Sequence, residues 1–336
     1  MTPAAPTVPA TTAAAERPTR RRRHGRLLAR LAHLVGVLVL VTLAATALVD
    51  LLPGSPAATI LGPTATAEAI AELEAETGYD RPLPERYATW LGNALTGDLG
   101  SSVQSNRPVL EQILDRVPVT LELTVLALVM ALAAAVPAAL LAAHREGGPA
   151  DRAATGLASG LLSVPVFVAG VLLIYAFAVV TGWFPVSGWS PLSDGLVDNL
   201  AFAFLPALAL AIGEAPGFYR LLRGDLVHTL HQDFVRTAEV RGLPRRYVLL
   251  RHALRPSSFS LLTVAAMTFG RLLAGSVVVE SLFALPGLGA LALQAIPARD
   301  LPLIQGIVAL VAVVYVVVNM VVDAAYAVLD PRVRAA

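Results

Sequence analysis

The sequence predicts an all-α integral membrane protein with six transmembrane helices and both termini on the cytoplasmic side. Three observations carry that reading. The 336-residue chain is 56% hydrophobic and only 15% charged, with a mean hydropathy of +0.68, whereas ordinary soluble domains are about 25% charged. Six apolar runs are long enough for a bilayer core about 30 Å thick, which takes roughly 20 helical residues. The arginines fall in alternate connections, as the enrichment of cytoplasmic loops in Lys and Arg requires. All 25 basic residues are arginine, and the chain has no lysine and no cysteine. These absences exclude a Walker A loop, a Schiff-base lysine, disulfides, thiolate metal sites and a cysteine nucleophile.

The elements follow in order. Residues 1–26, rich in Pro, Ala and Arg without hydrophobic periodicity, read as a disordered cytoplasmic tail. The first span covers 27–52, its apolar run lying at 31–52. A cleaved signal peptide carries a shorter apolar stretch of about 7–15 residues, so an uncleaved anchor is favoured. Arg17, Arg20, Arg21, Arg22, Arg23, Arg26 and Arg30 precede this run. Beside a span such a cluster reads as a topology anchor at the lipid surface, not as a nucleic-acid site. Residues 53–117 hold nine acids against four arginines and read as an extracytoplasmic helical cap. Within it Thr66 caps a helix that Gly78 ends, and a second helix at 86–94 presents Trp90 and Leu91.

A five-helix core at 118–329 follows. Its spans are expected at 118–143, from 153 onward as one helix, at 199–219, at 258–283 and at 303–329. Trp183, Phe184 and Trp189 lie in an outer loop and read as an interfacial belt. A cytoplasmic loop at 220–257 has eight arginines against Asp225, Asp233 and Glu239. Inside it, 233–241 forms a short amphipathic helix stopped by Gly242 and Pro244. Its apolar Phe234, Val235 and Ala238, set among Arg236, Glu239 and Arg241, fit either a partner's groove or a solvated loop. Residues 330–336 form a cytoplasmic C-terminus.

Eight segments then carry a resemblance: 51–56 (LLPGSP), 78–84 (GYDRPLP), 97–102 (GDLGSS), 116–123 (RVPVTLEL), 233–254, 277–289 (VVVESLFALPGLG), 298–302 (ARDLP) and 329–334 (LDPRVR). In joint order and spacing the chain resembles the permease subunits of binding-protein-dependent ATP-binding-cassette (ABC) importers, in the dipeptide, oligopeptide and nickel class. The resemblance implies the type I importer permease fold in a bacterial inner (cytoplasmic) membrane. It implies no covalent chemistry and no cofactor on this chain, with ATP and Mg on two ABC ATPase subunits. The other implied partners are a homologous second permease, which completes the pore, and an extracytoplasmic substrate-binding protein.

In that family a cytoplasmic motif beginning with Glu-Ala-Ala, with glycine six residues after its first position, docks in a cleft of the ATPase. Arg236, Thr237, Ala238 and Gly242 fall at this spacing, so the resemblance assigns coupling to Asp233, Phe234, Arg236, Thr237, Ala238 and Gly242. The first two motif letters differ here. Phe259-Ser260 replaces a leucine-proline pair, and Pro256 stands earlier, which moves the expected kink at the base of the fifth helix by about one turn.

Two rival classes remain. An ion-coupled secondary transporter would use intramembrane carboxylates, but Glu122, Glu214, Glu280 and Asp323 are expected near span ends, within reach of water. An intramembrane enzyme is opposed by the histidines: His144, His228, His231 and His252 fall in cytoplasmic segments, which leaves Ser190 without a partner. Asp225, His228, His231 and Asp233 approach metal-ligand spacing yet read as a solvated helix surface, so no metal site is assigned.

Arg271 stands where the family pattern has a small residue, about 20 Å above Ser258. A charge there should face the pore, a buried partner or the other permease. It pairs with an acid such as Glu214 or one on the second permease, or it lines the pore and attracts a peptide carboxylate, with a lipid-facing or interfacial placement as the third alternative. Glu280, nine residues on, falls on the opposite side of a continuous helix.

The topology is directly testable. Reporter fusions after Gln104, Ser193 and Pro286 should read outside, and those after Arg23, Gly147 and Arg245 inside. An inside signal at Gln104 would break the six-span arrangement.

Overall fold

The computed structural model describes residue 32 and residues 35–47, 55–62 and 64–329. The 1–26 tail, the ends of the first expected span, the 330–336 segment and the side chain of Asp323 lie outside the described residues. The helices are α1 (Val35–Ala47), α2 (Pro56–Leu61), α3 (Ala67–Thr77), α4 (Leu83–Leu95), α5 (Val109–His144), α6 (Pro149–Leu162) and α7 (Val166–Leu173). Then come α8 (Leu196–Leu230), α9 (Asp233–Val240), α10 (Arg245–Tyr247), α11 (Leu254–Gly275), α12 (Val277–Leu282), α13 (Leu288–Ala298) and α14 (Leu301–Leu329). No strand occurs among the described residues; Ser101 and Pro108 form a single isolated bridge.

Four helical stretches are long and apolar enough to cross a membrane: Val109–His144, Leu196–Leu230, Arg245–Gly275 and Leu301–Val321. A fifth crossing is made if the bent pair Pro149–Leu162 and Val166–Val180 counts as one span. The sequence suggested one unbroken third helix, but the pair bends by 100°. Pro165 explains the break, because it lacks an N–H and holds Val164 out of helical geometry. The expected 258–283 helix is likewise interrupted at Ser276, and α13 follows as a separate element. In the second span the helix reaches back to Val109, well before Pro118. Val109 and Ile113 are buried there, while Arg107 bonds Glu111 and Asp115 on the exposed side. Helical periodicity thus continues through residues that hydropathy alone discounts.

The core forms around α5 and α8, the most extensive helix pair. Along α5, Ala127, Ala131, Ala135 and Ala139 recur at every fourth position, each no more than 2% exposed. Small side chains on one stripe let two backbones approach closely, which is how helices associate in a bilayer. Phe218, Leu222 and Leu226 of α8 share one cluster with Ala135, Ala139 and Ala142. Leu205 and Leu210 share a second cluster with Leu123, Ala127 and Phe283. Phe184 stacks on Phe204 at 5.0 Å and Trp189 packs on the second cluster. Of the expected aromatic belt only Trp183 is mostly exposed, at 70%; the other two rings found a protein surface to cover.

Polar ties hold the remaining helices to this pair. Asp151 of α6, 3% exposed, receives Nε and Nη2 of Arg223 at 2.5 and 2.6 Å and the Gly147 N–H at 2.8 Å. On the other side, the Tyr87 and Thr42 hydroxyls join α4 to α1 at 2.8 Å, and Gln305 of α14 bonds Thr46. Ser102 donates to the buried Asp300, which also accepts the Val103 N–H.

Replacing Asp151 by alanine takes charge-assisted hydrogen bonds from the half-buried Arg223 guanidinium, a loss of about 1.5–3 kcal/mol. The purified complex should melt several degrees lower than the parent; an unchanged melting temperature would contradict this role for the pair.

Candidate functional site

The short helix α9 is built so that two of its apolar residues serve its own chain. Val235 and Ala238 are buried with Val248, and Leu230 and Leu243 pack around them. This seats α9 on the end of α8 and on the π-helical segment Val248–Ala253. Pro256 follows that segment and cannot donate to the His252 carbonyl, so an irregular turn precedes α11.

The helix stop is equally specific. Leu243 N–H returns to the Ala238 carbonyl at 3.3 Å while Gly242 takes φ +79°. That is a Schellman stop, with the Leu243–Ala238 apolar contact that accompanies it. A Cβ at Gly242 would meet open space, so glycine is required there by backbone conformation and not by crowding.

The sequence offered Phe234, Val235 and Ala238 together as one docking face, and here the structure corrects it. Phe234 is 51% and Val240 90% exposed, and Tyr247 and Leu250 of the same loop are exposed too. Arg236, Arg241, Arg245, Arg246 and Arg251 are exposed as well. Asp233 and Thr237 are also exposed, and the Thr237 hydroxyl bonds back to the Asp233 carbonyl. The exposed side of the loop therefore mixes apolar and cationic side chains.

Glu280 occupies a different setting from the one expected of it. Expected near water, it is fully buried, because the break at Ser276 turns its side chain into the protein. Its Oε1 accepts the Thr120 hydroxyl at 2.8 Å and the Ser276 hydroxyl at 2.7 Å. Its Oε2 accepts the Ala290 N–H at 3.0 Å. Thr120 Oγ1 accepts the Leu288 N–H at 2.9 Å. Two of the otherwise orphaned N–H groups of the first turn of α13, those of Leu288 and Ala290, are thus bonded by side chains from α5 and α12. A Cβ at Gly287 would overlap the Glu280 carboxyl, and one at Gly289 would lie 2.6 Å from Val277 Cα. The glycines at 287 and 289 therefore let the chain close over the acid.

Arg271 stands apart from Glu280. Its Nη2 donates to Glu214 Oε2 at 2.6 Å and to Thr268 Oγ1 at 3.4 Å, which makes an ion pair between α11 and α8. Glu214 lies well inside α8, not at its end. His228 and His231 point to separate partners: His228 meets Gln232, and His231 meets the Val227 carbonyl and, at 3.7 Å, Glu146.

Several of these residues escaped the sequence reading although a signal for them existed. Thr120, Ser102 and Asp300 all lie within the quoted segments 116–123, 97–102 and 298–302, and the fold joins 97–102 to 298–302 and 116–123 to 277–289. Asp151 and Arg223 had no comparable signal.

Two described protein families match most of the chain. Residues 135–335 match the family described as "Binding-protein-dependent transport system inner membrane component". Residues 25–124 match "Binding-prot-dependent transport system membrane comp, N-term". A Sinorhizobium fredii protein named as a probable peptide ABC transporter permease is 37% identical over 308 residues, 92% of this chain and 98% of that relative. The glutathione transport system permease protein GsiC of Escherichia coli strain K12 is 35% identical over 305 residues, 91% of this chain and 97% of the relative. Among solved structures, an inward-facing MetNI methionine ABC transporter aligns with a TM-score of 0.53 at 18% identity, over 65% of this chain and 96% of that one. This last likeness concerns the fold alone.

The Glu280 network predicts an ordered pair of effects. Glu280→Ala strips partners from two hydroxyls and one buried N–H, each worth about 1–3 kcal/mol, and should block stable assembly. Glu280→Gln keeps a carbonyl for Ala290 and can donate to hydroxyls whose protons rotate, so it should assemble at reduced yield. Equal behaviour of the two variants on size-exclusion chromatography would refute the network.

Proposed function

Because the chain belongs to the family of binding-protein-dependent transport system inner membrane components, we propose that it is one pore-forming half of an ABC importer for peptides or related small solutes. Full-length similarity to relatives named for peptide and glutathione transport supports that cargo class; nothing comparable supports nickel. The chain is a multi-pass component of an ABC transporter complex. Its partners on this reading are a homologous second permease, two ABC ATPase subunits that hold ATP and Mg, an extracytoplasmic substrate-binding protein and the lipid of a bacterial inner membrane. Six spans with both termini cytoplasmic fit the arginine distribution, and the permease itself needs no cofactor and carries out no covalent step. The ion-coupled alternative is not favoured: Glu280 is committed to three donors and Glu214 to Arg271.

The observation that carries the coupling mechanism is the division of labour on α9. Val235 and Ala238 fix the helix to its own bundle, which leaves Phe234 and Val240 exposed among arginines. Such a surface suits a cleft on the ATPase that offers both apolar and acidic contacts. Closure of the ATPases on ATP then pushes α9, and α8, which ends just before it, carries the displacement into the membrane. Asp233, Arg236 and Thr237 complete the docking surface, Ala238 seats it, and Gly242 keeps its shape.

Gly242→Val forces a β-branched residue into left-handed backbone at about 1–3 kcal/mol. Uptake per ATP hydrolysed in the reconstituted complex should fall about tenfold while the membrane helices stay folded. Phe234→Ala and Arg236→Ala should fall less. Normal uptake with full ATP coupling in Gly242→Val would overturn the docking assignment.

A further inference from the structure

The Arg271–Glu214 pair is an ion pair whose cation is the open partner: its side chain is 64% exposed, against 14% for Glu214. Counting about 1.5 Å per residue, Arg271 stands roughly 25 Å above the inner end of α11, at a depth where a lipid-facing charge costs about 2.5–3.5 kcal/mol. It shares an exposed line with Ser260, Val264 and Met267, at helical steps of three and four. Below Glu214 on α8, Gly217, Arg220 and Gly224 form a matching exposed line. The α8 line carries two glycines and an arginine, and the α11 line carries Ser260 and Arg271 with Val264 and Met267 between them, whereas α7 and its extension present branched apolar residues such as Leu172, Val179 and Val180, about 60% exposed. Lipid suits the second surface and water the first.

We propose that Arg271, held in place by Glu214, lines a water-filled path through the bilayer and binds the carboxylate of the transported peptide as it passes. The inference rests on the peptide reading given above and assigns a ligand group to that path. A guanidinium has five N–H donors, and the bonds to Glu214 and Thr268 both use Nη2, so donors remain on the open side. Glu214 already offsets much of the charge, which keeps the hold on a second carboxylate weak enough for release, as conduction requires. An acid of the second permease is the other source of such a carboxylate. Enclosed permanently, it would leave two carboxylates on one guanidinium in a dry interface, and uncompensated buried charge is strongly destabilising.

Two measurements on the reconstituted complex test this. The chain has no cysteine, so single cysteines report cleanly. Val264→Cys, which shares the Arg271 face, should react with a membrane-impermeant thiol reagent. Leu262→Cys, on the opposite side of α11, should stay protected. The second measurement compares Arg271→Gln with the parent, using a dipeptide that the binding protein admits both as free acid and as C-terminal amide. The ratio of free-acid to amide uptake should fall about tenfold, the scale of one charge-assisted hydrogen bond, and Arg271→Lys should restore part of it. Equal loss of both peptides, or failure of Arg271→Gln to assemble, would make the pair structural and overturn the site. Protection of Val264→Cys would do the same by placing this face against the second permease. A parent complex that carries neither peptide would reject the peptide reading itself, a result distinct from equal loss in the variant.

Discussion

The rest of the molecule depends on how closely α5 and α8 approach. Within a bilayer, burying one apolar side chain against another gains little over lipid, so helices associate by packing and by interhelical hydrogen bonds. Thr120, Thr124, Ala127, Ala131, Ala135 and Ala139 give α5 a narrow face of small residues, and α8 lies in it along much of its length. What this contact makes rigid is a 35-residue helix. It carries Glu214 partway along, Arg223 nearer its C-terminal end and α9 just beyond. Thr229 of α8 and Ser257 near the start of α11 bond across the same end at 3.0 Å, so the helices on either side of α9 are joined where it is seated.

Polar groups at membrane depth follow a second constraint, that irregular backbone survives only where protein satisfies it. The turn between α12 and α13 is such a segment. Leu285 N–H returns to the Glu280 carbonyl at 2.8 Å, and the Gly188 N–H bonds the Phe283 carbonyl at 2.9 Å. Glu280 and Thr120 then cap α13. A buried acid that sequence inspection reads as a possible ion-coupling group is thus occupied with holding three helices together. Arg271 and Glu214 differ because their pair is open on one side, and that openness separates a site from a structural tie.

Much of this was legible in the residues. Apolar length and arginine placement identify a multi-pass helical protein, and the short helix between Asp233 and Gly242 is marked by its own amphipathic pattern and by the glycine and proline after it. What remained hidden depended on partners distant in sequence. Hydropathy cannot show that Val235 and Ala238 face inward while Phe234 faces out, because all three are apolar and only the positions of Leu230, Leu243 and Val248 decide. Nor can it show that Ser276 and Glu280 break the fifth helix, since the gain comes from Thr120 on α5 and the first turn of α13. The 100° bend had a local signal in Pro165, but a proline within a long apolar run is also compatible with an uninterrupted helix, as Pro206 and Pro216 in α8 demonstrate.

The central claim is that the exposed side of α9 meets the ATPase while its buried side meets this chain. Cross-linking in native membranes tests it most directly, since every introduced cysteine is the only one in the chain. Phe234→Cys and Val240→Cys should each form an adduct with the ATPase subunit, at a yield that changes with ATP. Val235→Cys and Ala238→Cys should form none. Adducts from the buried pair, or none from the exposed pair in a complex that still transports, would contradict the account.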